Sequence, residues 1–159
     1  MKHLALALAV SLAVGGMARA QTDEPTGPQP KLPTEPLSIQ TAGGKVYHFT
    51  VELPVTQQQQ DTGEMFRTSI PADGGMLFVW KTQRVAEMWM KNCPVPEDML
   101  FIGKDGTIKA IAQNTVPYST RVISSHVPVA ATLELQGGIT AKYDINVGDK
   151  VIAKPLNGG

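Results

Sequence analysis

The chain has 159 residues, with 14 Lys and Arg against 14 Asp and Glu, so its formal net charge at pH 7 is zero. Removing the N-terminal segment that contains Lys2 and Arg19 leaves 12 basic residues and a net charge of about −2. A chain of this charge lacks the basic surface that binds nucleic acid or anionic lipid, so neither is an expected partner.

Residues 1–20 predict a cleavable secretory signal peptide. Lys2 gives the positive start, residues 4–14 are apolar except for one serine, and Ala18-Arg19-Ala20 is a small-x-small cleavage site. The apolar stretch is about half of the ~20 residues that span a bilayer, so we expect no stable membrane anchor after cleavage. The alternative is a buried N-terminal helix. The expected location of the mature protein is periplasmic or secreted.

Residues 21–36 contain five of the twelve prolines and predict an extended Pro-rich linker. A docking ligand for a proline-reading domain is the alternative. Residues 37–159 are then expected to form one domain of roughly 120 residues. Cys93 is the single cysteine and cannot close an intramolecular disulfide, so core packing must stabilise this domain. We expect Cys93 to be a buried small hydrophobe, a free thiol or an intermolecular partner.

The domain begins with a predicted strand and a predicted helix. Residues 46–53 alternate between apolar and polar side chains, which predicts a strand with one buried face and His48 on the outward face. Thr56 followed by Gln59 is a capping box, and Gly63 suits a helix end. Residues 57–62 therefore predict one short surface helix.

The rest of the chain predicts short strands, which cover residues 76–80, 85–91, 99–102, 107–113, 131–136 and 149–154. The first two are expected to pair as a hairpin, and the next two to pair around the turn at Asp105-Gly106. Short strands at this spacing, without βαβ alternation, predict a mostly β, antiparallel β-sandwich or barrel.

Several ordered motifs resemble the domain-of-unknown-function 192 family. They are Gly63-Glu64-Met65-Phe66-Arg67, Gly75-Met76-Leu77-Phe78, Trp89-Met90-Lys91-Asn92 with Pro96 and Asp98, Asp105-Gly106, Pro117, Ser125 with Pro128, Leu133-Glu134-Leu135 with Gly138, and Gly148-Asp149. The resemblance covers residues 46–152. It implies an exported or membrane-anchored bacterial or archaeal protein with a single jelly-roll-like β domain, in a family without an established biochemical activity.

The chain departs from this family at three positions that bear on function. Glu64, Cys93 and Glu97 stand where the family usually has Leu, Thr and Leu. A thiol at a position that the family fills with Thr argues against a catalytic cysteine. The residues around Cys93 also argue against it. Pro94 has no backbone amide to donate, and no sequence signature flanks Cys93 to indicate His126 as its base.

Metal binding is a second chemistry that the sequence raises. All five methionines after residue 20 lie between Met65 and Met99, and Met88 and Met90 are predicted to share a strand face. Thioethers suit Cu(I), but methionine also fills irregular gaps in cores, which is the preferred interpretation. The histidines lack zinc-ligand spacing. We therefore expect no metal site, no cofactor and no catalytic residue.

A polar pocket is the preferred functional hypothesis. Polar and aromatic residues at the ends of apolar strands are expected to converge at one mouth of the fold: Arg67, Trp89, Lys91, Asn92, Asp98, Ser125 and Glu134. Such a pocket suits a sugar or a carboxylate. The purely structural alternative pairs Arg67 with Asp98, uses Asn92 to cap a turn and leaves Lys91 solvated.

The expected function is a monomeric, non-enzymatic binding or accessory module for a small polar extracytoplasmic ligand or cell-envelope component. Two alternatives stay open. One is a cell-envelope hydrolase that uses Asp98 or Glu134 with Lys91. The other is a methionine-based copper-binding protein.

Overall fold

The computed structural model describes residues 24–157, so the predicted signal peptide lies outside the described residues. Seven strands form one sheet: β1 Thr34–Gln40, β2 Val46–Glu52, β3 Gly74–Met88, β4 Glu97–Ile102, β5 Ile108–Ala112, β6 Ile123–Gln136 and β7 Lys150–Ala153. Three short helices are α1 Gln57–Thr62, α2 Ile139–Tyr143 and α3 Lys154–Asn157. None of the helices in this part of the chain is long and apolar enough to cross a membrane.

The strands lie in the order β5-β4-β6-β3-β2-β1-β7. All neighbours are antiparallel except β2 and β3, which are parallel because the connection through α1 returns the chain to the same end of the sheet. An isolated bridge between Thr107 and Lys150 connects the two edges of the sheet. No ladder joins the edge strands β5 and β7 in the described part of the chain, so the sheet is not closed. The prediction of a mostly β domain is confirmed. The sheet differs from the antiparallel prediction in one pair of strands, β2 and β3, which is parallel.

The helix predicted over residues 57–62 is confirmed with its cap. The Gln59 amide donates to Thr56 Oγ1 at 3.2 Å, and the Thr56 amide donates to Gln59 Oε1 at 3.1 Å. The prediction of a single helix is wrong, because α2 and α3 also form. Both are at most five residues long and lack the apolar periodicity that would have identified them.

The hairpin predicted within residues 76–91 is wrong. Residues 74–88 form the single strand β3, whose two halves both pair with β6. The intervening residues 81–84 contain no Gly, Pro or Asn to favour a reversal. Shifts of register after Val79 and Val85 bend the strand instead.

The predicted linker, residues 21–36, differs from the structure in its second part. Strand β1 begins at Thr34, and Leu32 is buried with its amide donating to Glu52 Oε2 at 2.7 Å. Gln29 Nε2 donates to the carbonyl oxygens of Gln59 and Gly63 at the end of α1. Proline is tolerated in β1 because Pro36 precedes the residues that pair with β7. Residues 29–36 therefore belong to the folded unit.

The sheet has two buried faces of different chemistry, because successive side chains of a strand point to opposite sides. The aliphatic face carries Leu77, Leu100, Leu133 and Leu135, with Ile and Val side chains from β1, β2 and β7. The opposite face carries a row that crosses four strands in register: Glu52, Met76, Glu134 and Met99. We call it the glutamate face.

Candidate functional site

A cavity of about 680 Å³ lies between α1 and the glutamate face. Its walls come from α1, the segment 63–65, the middle and end of β3, the residues just after β3, and the N-terminal Glu24 and Pro25. Glu134 contributes from β6. The cavity forms because α1 has a single buried side chain, Thr62, so the helix covers the sheet without packing closely on it.

Two tryptophans stand in the cavity wall with a cation on each ring. The Arg84 guanidinium carbon lies 3.9 Å from the centroid of the Trp80 ring, and Lys91 Nζ lies 5.2 Å from that of the Trp89 ring. Trp89 is 46% exposed, and Lys91 Nζ also pairs with Glu24 Oε2 at 2.6 Å. Trp80 Nε1 is buried and has no hydrogen-bond partner within residues 24–157.

Three buried glutamates lie on and behind the cavity floor. Glu64 and Glu134 line the cavity with 3% and 4% exposure. Glu97 is fully buried, and neither of its carboxyl oxygens has a hydrogen-bond partner within the described chain. Buried carboxyl groups are ordinarily hydrogen-bonded or paired with a cation, so this group of acids requires a physical explanation.

Arg67 is the cation closest to these acids in the described structure, and its guanidinium group is paired with Glu52. Its Nη1 and Nη2 donate to the two Glu52 oxygens at 2.7 and 2.9 Å. Its Nε lies 3.1 Å from Glu64 Oε2 in an ion pair that lacks hydrogen-bond geometry. The suggested pairing of Arg67 with Asp98 is therefore wrong. Arg67 lines a smaller recess of about 160 Å³ beside the cavity.

Burial raises the pKa of every one of these carboxyl groups, and hydrogen bonds reverse the shift at Glu52 alone among the four. Burial raises the pKa of Glu64 to about 7, despite the nearby charge of Arg67. Burial and the charge of Glu64 raise the pKa of Glu97 to about 8. Burial and the neighbouring acids raise the pKa of Glu134 well above its usual value. For Glu52, burial is outweighed by hydrogen bonds from Arg67 and the Leu32 amide, and its pKa is lowered.

Cys93 lines the same cavity as a buried thiol. Burial and the charges of Glu97 and Glu134 raise its pKa, which disfavours the reactive thiolate. Its Sγ lies 3.5 Å from the Lys91 carbonyl oxygen, toward which the thiol donates. This environment suits the expected small hydrophobe.

We expect iodoacetamide to alkylate native Cys93 about a hundredfold more slowly than the urea-unfolded chain at pH 8, because the native thiol is buried and stays protonated. Mass spectrometry of quenched time points measures the two rates, and the unfolded chain is the internal control since Cys93 is the single cysteine. Equal rates would show that the thiol is accessible and ionised.

Asp98 lies away from the cavity and has a structural role. It is in register with Leu135, which places it at the aliphatic face. Its Oδ1 accepts from the amides of Asn114 and Gly138 at 2.7 and 2.9 Å, and its Oδ2 accepts from Thr140 N and Oγ1 at 2.8 and 2.6 Å. Asp98 therefore caps α2 and anchors the chain after β5.

Asn92 and Ser125 also have structural contacts. Asn92 has φ +58°, its carbonyl oxygen accepts from the Phe66 amide, and its Nδ2 lies 3.8 Å from Met65 Sδ. Ser125 Oγ accepts from the Ala86 amide at 2.9 Å and donates to the Val127 carbonyl oxygen at 2.7 Å, next to a bulge of β3. Neither residue lines the cavity.

The structure thus brings together three of the seven predicted site residues, namely Trp89, Lys91 and Glu134. It places Arg67 in the adjacent recess. Sequence reasoning missed Trp80, Arg84 and Glu64 as lining residues. The departure of Glu64 from the Leu of the resembled family was the available signal for this residue.

The methionines are used in packing. Met76, Met90 and Met99 are fully buried, and the Thr115 hydroxyl donates to Met90 Sδ at 3.1 Å. Met88 ends β3, so Met90 does not share a strand face with it as predicted. Over residues 24–157, no group of three or more His, Cys, Asp or Glu side chains is arranged to hold a metal ion.

Fold and site together define a small, mostly β domain with one cavity between its sheet and a short helix. The chain belongs to the DUF192 family, described as "Uncharacterized ACR", whose model matches residues 38–153. This confirms the family resemblance. Comparison with curated proteins gives no match.

Two crystal structures resemble the chain closely. One is a protein of Sinorhizobium meliloti 1021 described as a candidate transcription regulator, with 39% sequence identity and a TM-score of 0.77 over 80% of this chain and 98% of that one. The other is a protein of unknown function from Novosphingobium aromaticivorans DSM 12444, with 34% identity and a TM-score of 0.74 over 87% and 99%. Neither description names a ligand or a catalysed reaction.

Proposed function

We propose that this domain is a non-enzymatic binding module and that its ligand is a small polar molecule held in the cavity between α1 and the glutamate face. The observation that carries the proposal is the cavity itself. Its volume of about 680 Å³ falls within the range of small-molecule sites, roughly 300–1,000 Å³. Exposed residues such as Arg84 and Trp89 stand in its lining, so the cavity is open to solvent and accessible to a ligand.

The lining chemistry supports a polar ligand. Gln57, Gln58 and Gln60 of α1 line the cavity, and each side-chain amide can both donate and accept hydrogen bonds. Trp89 leaves nearly half of its surface exposed beside these groups. An amphipathic ring next to amide groups is suited to stacking on the flat face of a polar molecule such as a sugar.

The hydrolase alternative receives less support from the geometry. Asp98 is occupied by four hydrogen bonds at the other face of the sheet. Glu134 and Lys91 both line the cavity, but Lys91 Nζ pairs with Glu24, and no ion pair joins it to Glu134 within the described residues. General acid–base catalysis requires groups within hydrogen-bond reach of the same reacting atom.

An extracytoplasmic location fits this proposal. The predicted signal peptide in residues 1–20 supports export to the periplasm or the medium, where a cell-envelope component is an available ligand. The approach of the sheet edges at Thr107 and Lys150 supports a jelly-roll-like, nearly closed arrangement for the monomer.

We expect Trp89→Ala to weaken ligand binding at least tenfold, because it removes the exposed stacking surface. Thermal shift against sugars, cell-wall fragments and small amines identifies a ligand, and calorimetry then gives the affinity. Tyr118→Ala is the matched control, since Tyr118 is also an exposed aromatic residue but lies outside the cavity lining. The proposal fails if no compound of any charge stabilises the wild type, or if Trp89→Ala binds the ligand as tightly.

A further inference from the structure

We infer that the ligand of this cavity carries a cationic group, an ammonium or a guanidinium, that binds beside Glu134. The inference rests on the proposed binding function and adds the charge class of the ligand. Three observations carry it: the unpaired Glu134 carboxyl group, the balance of buried charge, and the cations already held on the cavity's aromatic rings.

Glu134 is the first observation. Its side chain is 96% buried and faces the cavity, in the row between Met76 and Met99. No residue of the described chain donates a hydrogen bond to its carboxyl group, and its surroundings act on it through burial and the charges of neighbours alone. A buried carboxyl group that opens only into a cavity is complemented by a donor that enters the cavity.

The charge balance is the second observation. Glu64, Glu97 and Glu134 are buried together, and the nearby cation, Arg67, is already bound by both Glu52 oxygens. The whole cavity lining has five acidic and two basic side chains: Glu24, Asp61, Glu64, Glu87 and Glu134 against Arg84 and Lys91. Burial favours the uncharged form of these acids, so they offer nothing to an anionic ligand, whereas a ligand cation would supply the counter-charge that allows one of them to ionise.

The aromatic rings are the third observation. Arg84 lies on Trp80 and Lys91 lies near the face of Trp89, so both rings already attract a cation from the protein itself. Both cations sit on side chains at the cavity rim, where Arg84 is exposed and Lys91 is half-buried. The rings are therefore suited to hold a cation, and a ligand cation would take the place of Arg84 or Lys91 on one of them.

Binding of a cation should also release a proton. The groups that face Glu134 are Glu64, Glu97, Arg67 and Cys93. Burial raises the pKa of Glu134, and Glu97 and Glu64 add to this rise. The protein surroundings therefore favour the protonated form of Glu134, whereas a bound ammonium group favours its ionised form. Calorimetry in two buffers of different ionisation enthalpy counts the protons released.

The test uses two series of ligands in which the skeleton is fixed and the charge changes. One series is butane-1,4-diamine, butane-1,4-diol and succinate, and the other is glucosamine, glucose and glucuronate. We expect the cationic member of at least one series to bind about tenfold more tightly than its neutral and anionic counterparts, with proton release. Glu134→Gln should remove this preference and the proton release, while Asp73→Asn, at an exposed acid outside the cavity lining, should change affinity less than twofold.

The outcomes separate this inference from the proposed function. If a neutral or anionic member binds as tightly as the cation and Trp89→Ala abolishes its binding, the cavity is a ligand site but the charge class is wrong. If no member of either series binds, and the wider ligand screen also fails, the binding function falls together with the inference. If Glu134→Gln does not fold, Glu64→Gln replaces it and should weaken the cation preference in the same direction.

Discussion

Asp98→Ala is expected to destabilise the domain by about 3–5 kcal/mol. The substitution leaves the amides of Asn114, Gly138 and Thr140 and the Thr140 hydroxyl without their common acceptor, and α2 loses its cap. Each buried donor left unsatisfied costs about 1–3 kcal/mol, and part of this is recovered by water reaching the loop. Urea unfolding followed by tryptophan fluorescence measures the free energy of unfolding.

Two further variants make this result specific to Asp98. Asp98→Asn keeps one acceptor oxygen but turns an amide group toward the remaining donors, so it should lie between the wild type and Asp98→Ala. Asp73→Ala removes an exposed carboxylate and should change the free energy of unfolding by less than about 0.5 kcal/mol. A loss below 1 kcal/mol for Asp98→Ala would mean that the four hydrogen bonds contribute little to stability.

Glu97→Gln is expected to flatten the pH dependence of stability between pH 5.5 and pH 8, by about 2–3 kcal/mol. The Glu97 pKa is 4.5 when unfolded and about 8 when folded, so the folded state binds more protons across this interval. The stability of the wild type therefore falls as the pH rises from about 4.5 through 8, and Glu64 and Glu134 act in the same direction. Glu52 acts in the opposite direction, because its pKa is lowered in the folded state. Its contribution to stability is present above about pH 4.5 and is lost as the pH falls below that value.

Unfolding titrations at pH 5.5 and pH 8 provide the comparison. Glutamine has the size of a protonated glutamate and cannot ionise, so Glu97→Gln should be more stable than the wild type at both pH values, with the larger gain at pH 8. Glu87→Gln, at an exposed position, should keep the pH dependence of the wild type. A Glu97→Gln variant that is less stable at pH 8 would indicate that the buried carboxylate has a partner that stabilises its charge.

Elements specified by short-range patterns were the ones that the sequence predicted well. Strand β2 follows from its alternation and α1 from the Thr56 and Gln59 capping box, because both depend on contacts within a few residues. The long strand β3 was divided in two by a polar stretch, residues 81–84, whose side chains are exposed. What holds the two halves in one strand is the pairing with β6, about 45 residues away, of the residues on either side of this stretch, which no local pattern reveals.

The candidate site was predicted in part for a related reason. The cavity is lined by three of the residues that were predicted to converge, Trp89, Lys91 and Glu134. Asp98 does not line it, because on β4 it lies one position out of phase with Glu97 and Met99. A shift of one residue along a strand moves a side chain to the other face, so the role of Asp98 depends on the strand register. The burial of Glu97 and Glu134 was equally hidden, since covering the glutamate face requires α1 and the loops that pack over it.

The weak attachment of α1 bears on how the cavity opens. Its four glutamines are exposed or half-buried, one threonine is buried, and its C-terminal carbonyl groups are held by Gln29 from the N-terminal segment. The sheet side of the cavity, in contrast, is fixed by ladders of hydrogen bonds and a packed core. Local opening is therefore expected to cost least at α1, where one helical turn can move without any loss of the sheet.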